Sequence, residues 1–141
     1  MDKPIQHGRG RCILRLVLAA LFLCAGTVHL VNPRFFLPIM PPGIPWPMAC
    51  IIISGVFELL GGVGLLVPSA TIRKLAGVGL ILLLLAVFPA NIYMAAAHIQ
   101  VHGSQPWMAW ARLPLQPILI LAVWWVSGLR LRGRKAGKAG G

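Results

Sequence analysis

The sequence predicts an all-α protein: a transmembrane four-helix bundle with both termini cytoplasmic and a proline-rich outer loop. Three observations predict it. Of 141 residues, 58% are hydrophobic and only 11% charged, against about 25% charged in an ordinary soluble domain. A chain this small has a large surface to cover, and its polar residues are too few to cover it. The apolar residues fall in four runs of spanning length, about 20 residues each. The basic residues lie mainly between and beyond those runs. Lipid offers no partner to an exposed backbone group, so each run should be a helix.

The first run, 12–31, is "CILRLVLAALFLCAGTVHLV". Its basic start resembles a signal peptide. Its apolar part is longer than a signal core, and no small-residue cleavage site follows, so an uncleaved span is expected. The second run is 48–67, the third 75–97 and the fourth 112–128. Residues 1–131 then form one domain. The tail 132–141 is Gly-, Ala- and Lys-rich, with nothing to pack, and is expected to be disordered. Cys12, Cys24 and Cys50 form no C-x-x-C and are odd in number. Small apolar packing residues are the better reading of all three.

The net charge is +11. Nucleic acid is excluded as a partner, because the cations mark topology rather than a soluble basic face. Lys3, Arg9, Arg11, Arg15, Arg73, Lys74 and five basic residues of the C-terminal tail would share one side of the membrane. Arg34 and Arg112 lie on the other. Eleven against two is a strong positive-inside signal and places both termini in the cytoplasm.

On the outer side, "NPRFFLPIMPPGIPWP" (32–47) carries six of the twelve prolines. That density is expected to forbid helix and hold the chain extended or in turns. Its aromatic residues suit the membrane interface. A rigid connector and a lid over the bundle mouth are equally open readings; the candidate lid residues are Asn32, Pro33, Arg34, Pro41, Pro42 and Trp46. Trp107 and Trp110, in a second outer loop, are expected interface anchors.

Five polar residues on the four spans form a candidate ligand-binding or structural cluster: His29, Glu58, Asn91, Arg112 and Gln116. Glu58 is the only glutamate, and Asp2 the only other acid. A carboxyl in hydrocarbon is costly, roughly 3 kcal/mol on insertion scales. It should be neutral or paired and should not face lipid. Ser54, Glu58 and Gly62 share one face of the second helix, and small faces allow close helix contact. At 1.5 Å per residue Glu58 should lie roughly 15 Å below the start of its helix. Arg112 is its counter-ion by sign. Pro89 deletes a backbone hydrogen bond beside Asn91, and a neighbouring polar group should satisfy the freed carbonyl. Glue between helices and an acid on a proton or substrate path are both open for Glu58. Haem ligation by His29 and His98 is disfavoured, since exposed or capping histidine is commoner. Zinc is weaker again, because Glu58 is expected to lie too deep to join His29, His98 and His102. No metal site or catalytic residue is assigned.

The blocks "AGTVHLVNPRFFLPIMPPGIPWP", "SGVFELLGGVGLL", "VFPANIYMA" and "RLPLQP" stand in order across residues 25–117. Together they resemble the DoxX-like family of small four-helix membrane proteins. The resemblance implies a multipass protein of the bacterial inner (plasma) membrane. That family takes its name from membrane subunits of a thiosulfate:quinone oxidoreductase, and other members belong to complexes that handle thiols and oxidative stress. The motif residues carried over are His29, Asn32, Pro33, Glu58, Pro89, Asn91, Arg112 and Gln116. The chain lacks a cysteine pair, which argues against direct disulfide chemistry.

The expected function is an accessory subunit of a membrane redox complex, quinone- or thiol-linked, with an outward-facing polar pocket. No self-contained catalytic motif supports more than a subunit role in an oxidoreductase. A quinone is the ligand considered. The expected partners are the lipid bilayer, a redox protein and further copies of the chain. The rivals are a non-catalytic assembly or scaffolding factor and a small proton-coupled transporter, which at this length would need to oligomerise.

Overall fold

A computed structural model of the chain describes residues 6–97 and 106–129. Its helices are α1 (Gln6–Val31), α2 (Pro47–Leu66), α3 (Ala70–Ala96) and α4 (Pro106–Ser127), with a 3-10 helix over Pro33–Ile39 between α1 and α2. All four α-helices are long and apolar enough to cross a membrane. The protein is an all-α, multipass membrane protein, and no strand occurs among the described residues.

The spans begin earlier than hydropathy alone suggests. Arg9 and Arg11 lie inside α1, Arg73 and Lys74 inside α3, and Trp107, Trp110 and Arg112 inside α4. Lys and Arg are good helix formers and carry their charge outward on flexible stems. They end the apolar run without ending the helix. The true starts are set by backbone chemistry. Pro47 and Pro106 occupy first-turn positions, where a missing N–H costs nothing. The Ser69 side chain caps α3 by accepting from the Ile72 N–H.

The 32–47 segment also departs from expectation. Half of it is helical, because a 3-10 turn needs few N–H donors. Pro33 sits at its first position, and the Phe35 N–H donates to the Asn32 carbonyl. After it the chain turns through Gly43 (φ +104°) and through Trp46, a non-glycine residue at φ +49°.

The helices run up and down. α1 packs most extensively on α2, and α3 on α4, with α2 against α3 closing the bundle. Leu18, Ala19, Phe22, Leu65, Leu80, Leu84, Val123 and Val126 form the central core. Large apolar residues such as Phe57, Leu60, Leu82 and Leu121 stay exposed on the outside, where they meet lipid. One end of the bundle holds Arg11, Arg73 and Lys74 together; the 3-10 helix covers the other, here termed the lid end. There Ile39, Met94, Ala95 and Ala109 form a second apolar cluster, joined by Phe35, Phe36 and Leu113.

Where α1 crosses α2, backbone meets backbone. A Cβ on Gly26 would lie 2.7 Å from the Gly55 carbonyl oxygen, and one on Gly55 would lie 2.7 Å from Cβ of His29. Only glycine at both positions lets the backbones come this near. This crossing sets the register that positions the polar residues.

Candidate functional site

His29 lies one turn after Gly26 on α1, and Glu58 lies just after Gly55 on α2. The two helices are antiparallel. In each, the Cα–Cβ bonds tilt toward that helix's own N-terminus. The Glu58 side chain therefore rises toward the lid end, while that of His29 descends from it. They meet with Nδ1 of His29 2.7 Å from Oε2 of Glu58. The side chains retain 18% and 12% of their exposure, so the contact sits at a partly closed mouth.

The residue count along α2 misplaced Glu58 relative to His29. Gly55 is level with the turn from Gly26 to His29, so roughly 12 Å of α2 stands above that level, whereas α1 ends at Val31. The 3-10 helix fills the step. Glu58 is not too deep to reach a histidine, and its partner is His29 rather than Arg112.

Nδ1–H of a neutral imidazole can donate to the carboxylate across this contact, and one further proton, on either group, makes the pair neutral. Glu58 is the only acid among the described residues, and this is the only ion pair among them. Nε2 of His29 has no hydrogen-bond partner among the described residues. An imidazole fixed by a carboxylate at one nitrogen and open at the other can pass a proton to a ligand.

Phe36 of the 3-10 helix covers this imidazole, with ring centroids 4.0 Å apart and planes tilted by 41°. Phe35 braces Phe36 edge-on at 5.2 Å. The cover over the site is thus Phe36, with Phe35 against it, while buried Ile39 packs in the second apolar cluster. The residues singled out from the sequence lie around it: Asn32, Arg34, Pro42 and Trp46 are exposed, and Pro33 and Pro41 half-buried. Alternation of large apolar residues with proline was the available signal for the covering set.

The other two polar side chains pair within the second hairpin. The Asn91 amide donates to Oε1 of Gln116 at 2.6 Å. Gln116 is buried, and its own amide donates to the Leu84 carbonyl. Pro89 has no N–H for the Leu85 carbonyl in the same turn, and α4, though continuous, carries Pro114 and Pro117 beside Gln116. The pair staples α3 to α4 where both have lost backbone hydrogen bonds. Gln116→Leu should therefore cost about 2 kcal/mol of stability, since it leaves the Asn91 amide unpaired and removes the bond to the Leu84 carbonyl. Chemical unfolding in detergent micelles, compared with Gln116→Glu, measures it.

The expected single cluster of five is thus two pairs, one in each hairpin, and no hydrogen bond joins them among the described residues. Arg112 belongs to neither. It is exposed, with its guanidinium 3.7 Å from the Met94 sulfur. Ser54 turns back on its own helix, donating to the Ile51 carbonyl at 2.8 Å. His98, His102 and the tail 132–141 lie outside the described residues. Among the described residues no three metal-ligating side chains converge.

The profile of a family described as a domain of unknown function (DUF8561) matches residues 18–127. That range runs from the central core of α1 to the end of α4 and contains both polar pairs. No curated protein and no solved structure matches the chain.

Proposed function

The chain belongs to the DUF8561 family, and we propose that it is an accessory subunit of a membrane redox complex that handles a proton for a quinone-type ligand. The observation that carries this reading is the His29–Glu58 pair with its open Nε2 under an aromatic cover. A quinone head group is flat, apolar on its faces and carbonyl-bearing at its edge. Phe36 suits the face, and Nε2–H of His29 suits the edge. When the carbonyl oxygen gains electrons from a partner protein, the imidazolium gives it the proton on Nε2. The pair is left with one negative charge until a proton returns. The resemblance to DoxX-like proteins supports the redox setting. The positive-inside pattern supports a site that opens away from the cytoplasm of a bacterial inner membrane.

The Asn91–Gln116 pair favours a different role for itself. Its amides are spent on each other and on the Leu84 carbonyl, so it is structural.

Quinone co-extracted with the purified protein tests the proposal. Wild type should retain it, and His29→Gln and Glu58→Gln should each retain about tenfold less, the loss of one charge-assisted hydrogen bond. Gln116→Glu, away from the site, should retain the wild-type amount. If wild type carries no quinone and binds no quinone analogue, the scaffold reading replaces this one.

A further inference from the structure

The end of the bundle opposite the lid contains a cavity of about 470 Å³ lined by Arg11, Arg73, Lys74, Ser127, Gly128 and Leu129. Its size falls within the ordinary range for small-ligand sites, about 300–1,000 Å³. Three cations converge on it from two helices, and no acid stands near them among the described residues. Glu58, the only described acid, is committed to His29.

The placement of these cations is unfavourable as it stands. Arg73 and Lys74 lie at the end of the first turn of α3 and just after it, and that turn contains no acidic residue. The helix dipole there already presents about half a positive charge. Arg11 is held by donating to the Trp125 carbonyl at 2.6 Å, where it caps the C-terminus of α4. Arg73 donates to the Pro68 carbonyl at 3.3 Å. Each guanidinium has five N–H donors, so both keep donors to spare. Lys74 has no hydrogen bond or ion pair among the described residues. Gly128 closes the cavity at φ +79°, and a Cβ there would come within 3.1 Å of the Arg11 guanidinium. The arrangement lacks one thing, an anion rich in oxygen.

The neighbouring surface says which kind. Val78, one turn after Lys74 on the same face of α3, is 43% exposed. An anion that brings hydrocarbon with it satisfies both halves of this surface. We propose that the cavity binds the phosphate of an anionic phospholipid, with Arg11, Arg73 and Lys74 as its ligands and the chains along α3. A free phosphate shares the anionic chemistry but leaves the apolar half uncovered.

Native mass spectrometry of the full chain, released from mixed micelles of phosphatidylglycerol and phosphatidylcholine, tests this. Wild type should retain phosphatidylglycerol preferentially. Arg73→Gln and Lys74→Gln should each reduce that preference about fivefold. Arg9→Gln, which removes the same charge from the exposed flank of α1, should leave it unchanged. Equal loss in all three variants would show a diffuse charge effect and overturn the site, as would full preference in Arg73→Gln/Lys74→Gln. A parallel arm adds inorganic phosphate. If it displaces the lipid at millimolar concentration, the site belongs to soluble phosphate and the lipid assignment fails.

Discussion

Glu58→Leu lowers the stability of the bundle by about 3 kcal/mol, and Glu58→Leu/His29→Leu recovers most of that loss. The two variants differ in what they leave behind. The single replacement leaves an imidazole buried against α2 with its Nδ1 unpaired. The double replacement leaves two apolar side chains in a site already walled by Phe36 and Leu59. A buried pair contributes little net stability over a well-packed apolar substitute, but breaking one side of it is costly. Denaturant titration in micelles of all four members of the cycle gives the coupling directly. If the losses of the two single variants simply add in the double, the pair is not a coupled unit.

The second large effect is expected at the α1–α2 crossing. Gly26→Ala should destabilise by about 1–3 kcal/mol, although alanine by itself favours a helix by about 1 kcal/mol. Its methyl carbon would meet the Gly55 carbonyl oxygen at 2.7 Å and Cβ of Glu58 at 3.1 Å. A backbone oxygen cannot turn aside as a side chain can, so the helices must separate. That separation also draws His29 from Glu58, and the effects of Gly26→Ala and Glu58→Leu should fall short of additive. Gly79→Ala is the control. A Cβ there meets nothing within 4 Å, so helix propensity acts alone and stability should hold or rise slightly. Thermal unfolding of the two variants side by side separates packing from propensity.

The existence and number of the helices were legible in the sequence, because burial in lipid is a matter of composition over about 20 residues. The helix starts were not. Arg9, Arg73 and Arg112 end the apolar runs, but they do not end the backbone hydrogen bonding that continues past them. The polar residues were legible as individuals, since Glu58, Asn91 and Gln116 each stand out against hydrocarbon. Their partners were not. Depth counted from each helix start assumes that all helices begin level, and α2 overhangs α1. Gly26 and Gly55 carried the register, but pairing them requires knowing that these two helices touch there. The tilt of Cβ toward each N-terminus then closes the remaining gap between His29 and Glu58. The cover over the site was misplaced for a related reason. Proline marked the segment correctly, but the contacts come from the aromatic residues between the prolines.

The basic end shows the same separation. Arg11, Arg73 and Lys74 read in the sequence as topology signals. Their convergence on one cavity follows from α3 beginning at Ala70 and α4 ending at Ser127, with Gly128 turning the chain beyond it, and neither boundary is set by hydropathy.

The central claim is that His29 and Glu58 share a proton that a quinone-type ligand can use. The chain has only two acids, Asp2 and Glu58, so infrared difference spectroscopy can assign Glu58 by subtraction of Glu58→Gln. Adding a quinone analogue to the reconstituted protein should shift the Glu58 carboxyl bands in wild type and leave them unmoved in His29→Gln. Identical wild-type spectra with and without the analogue would contradict the account.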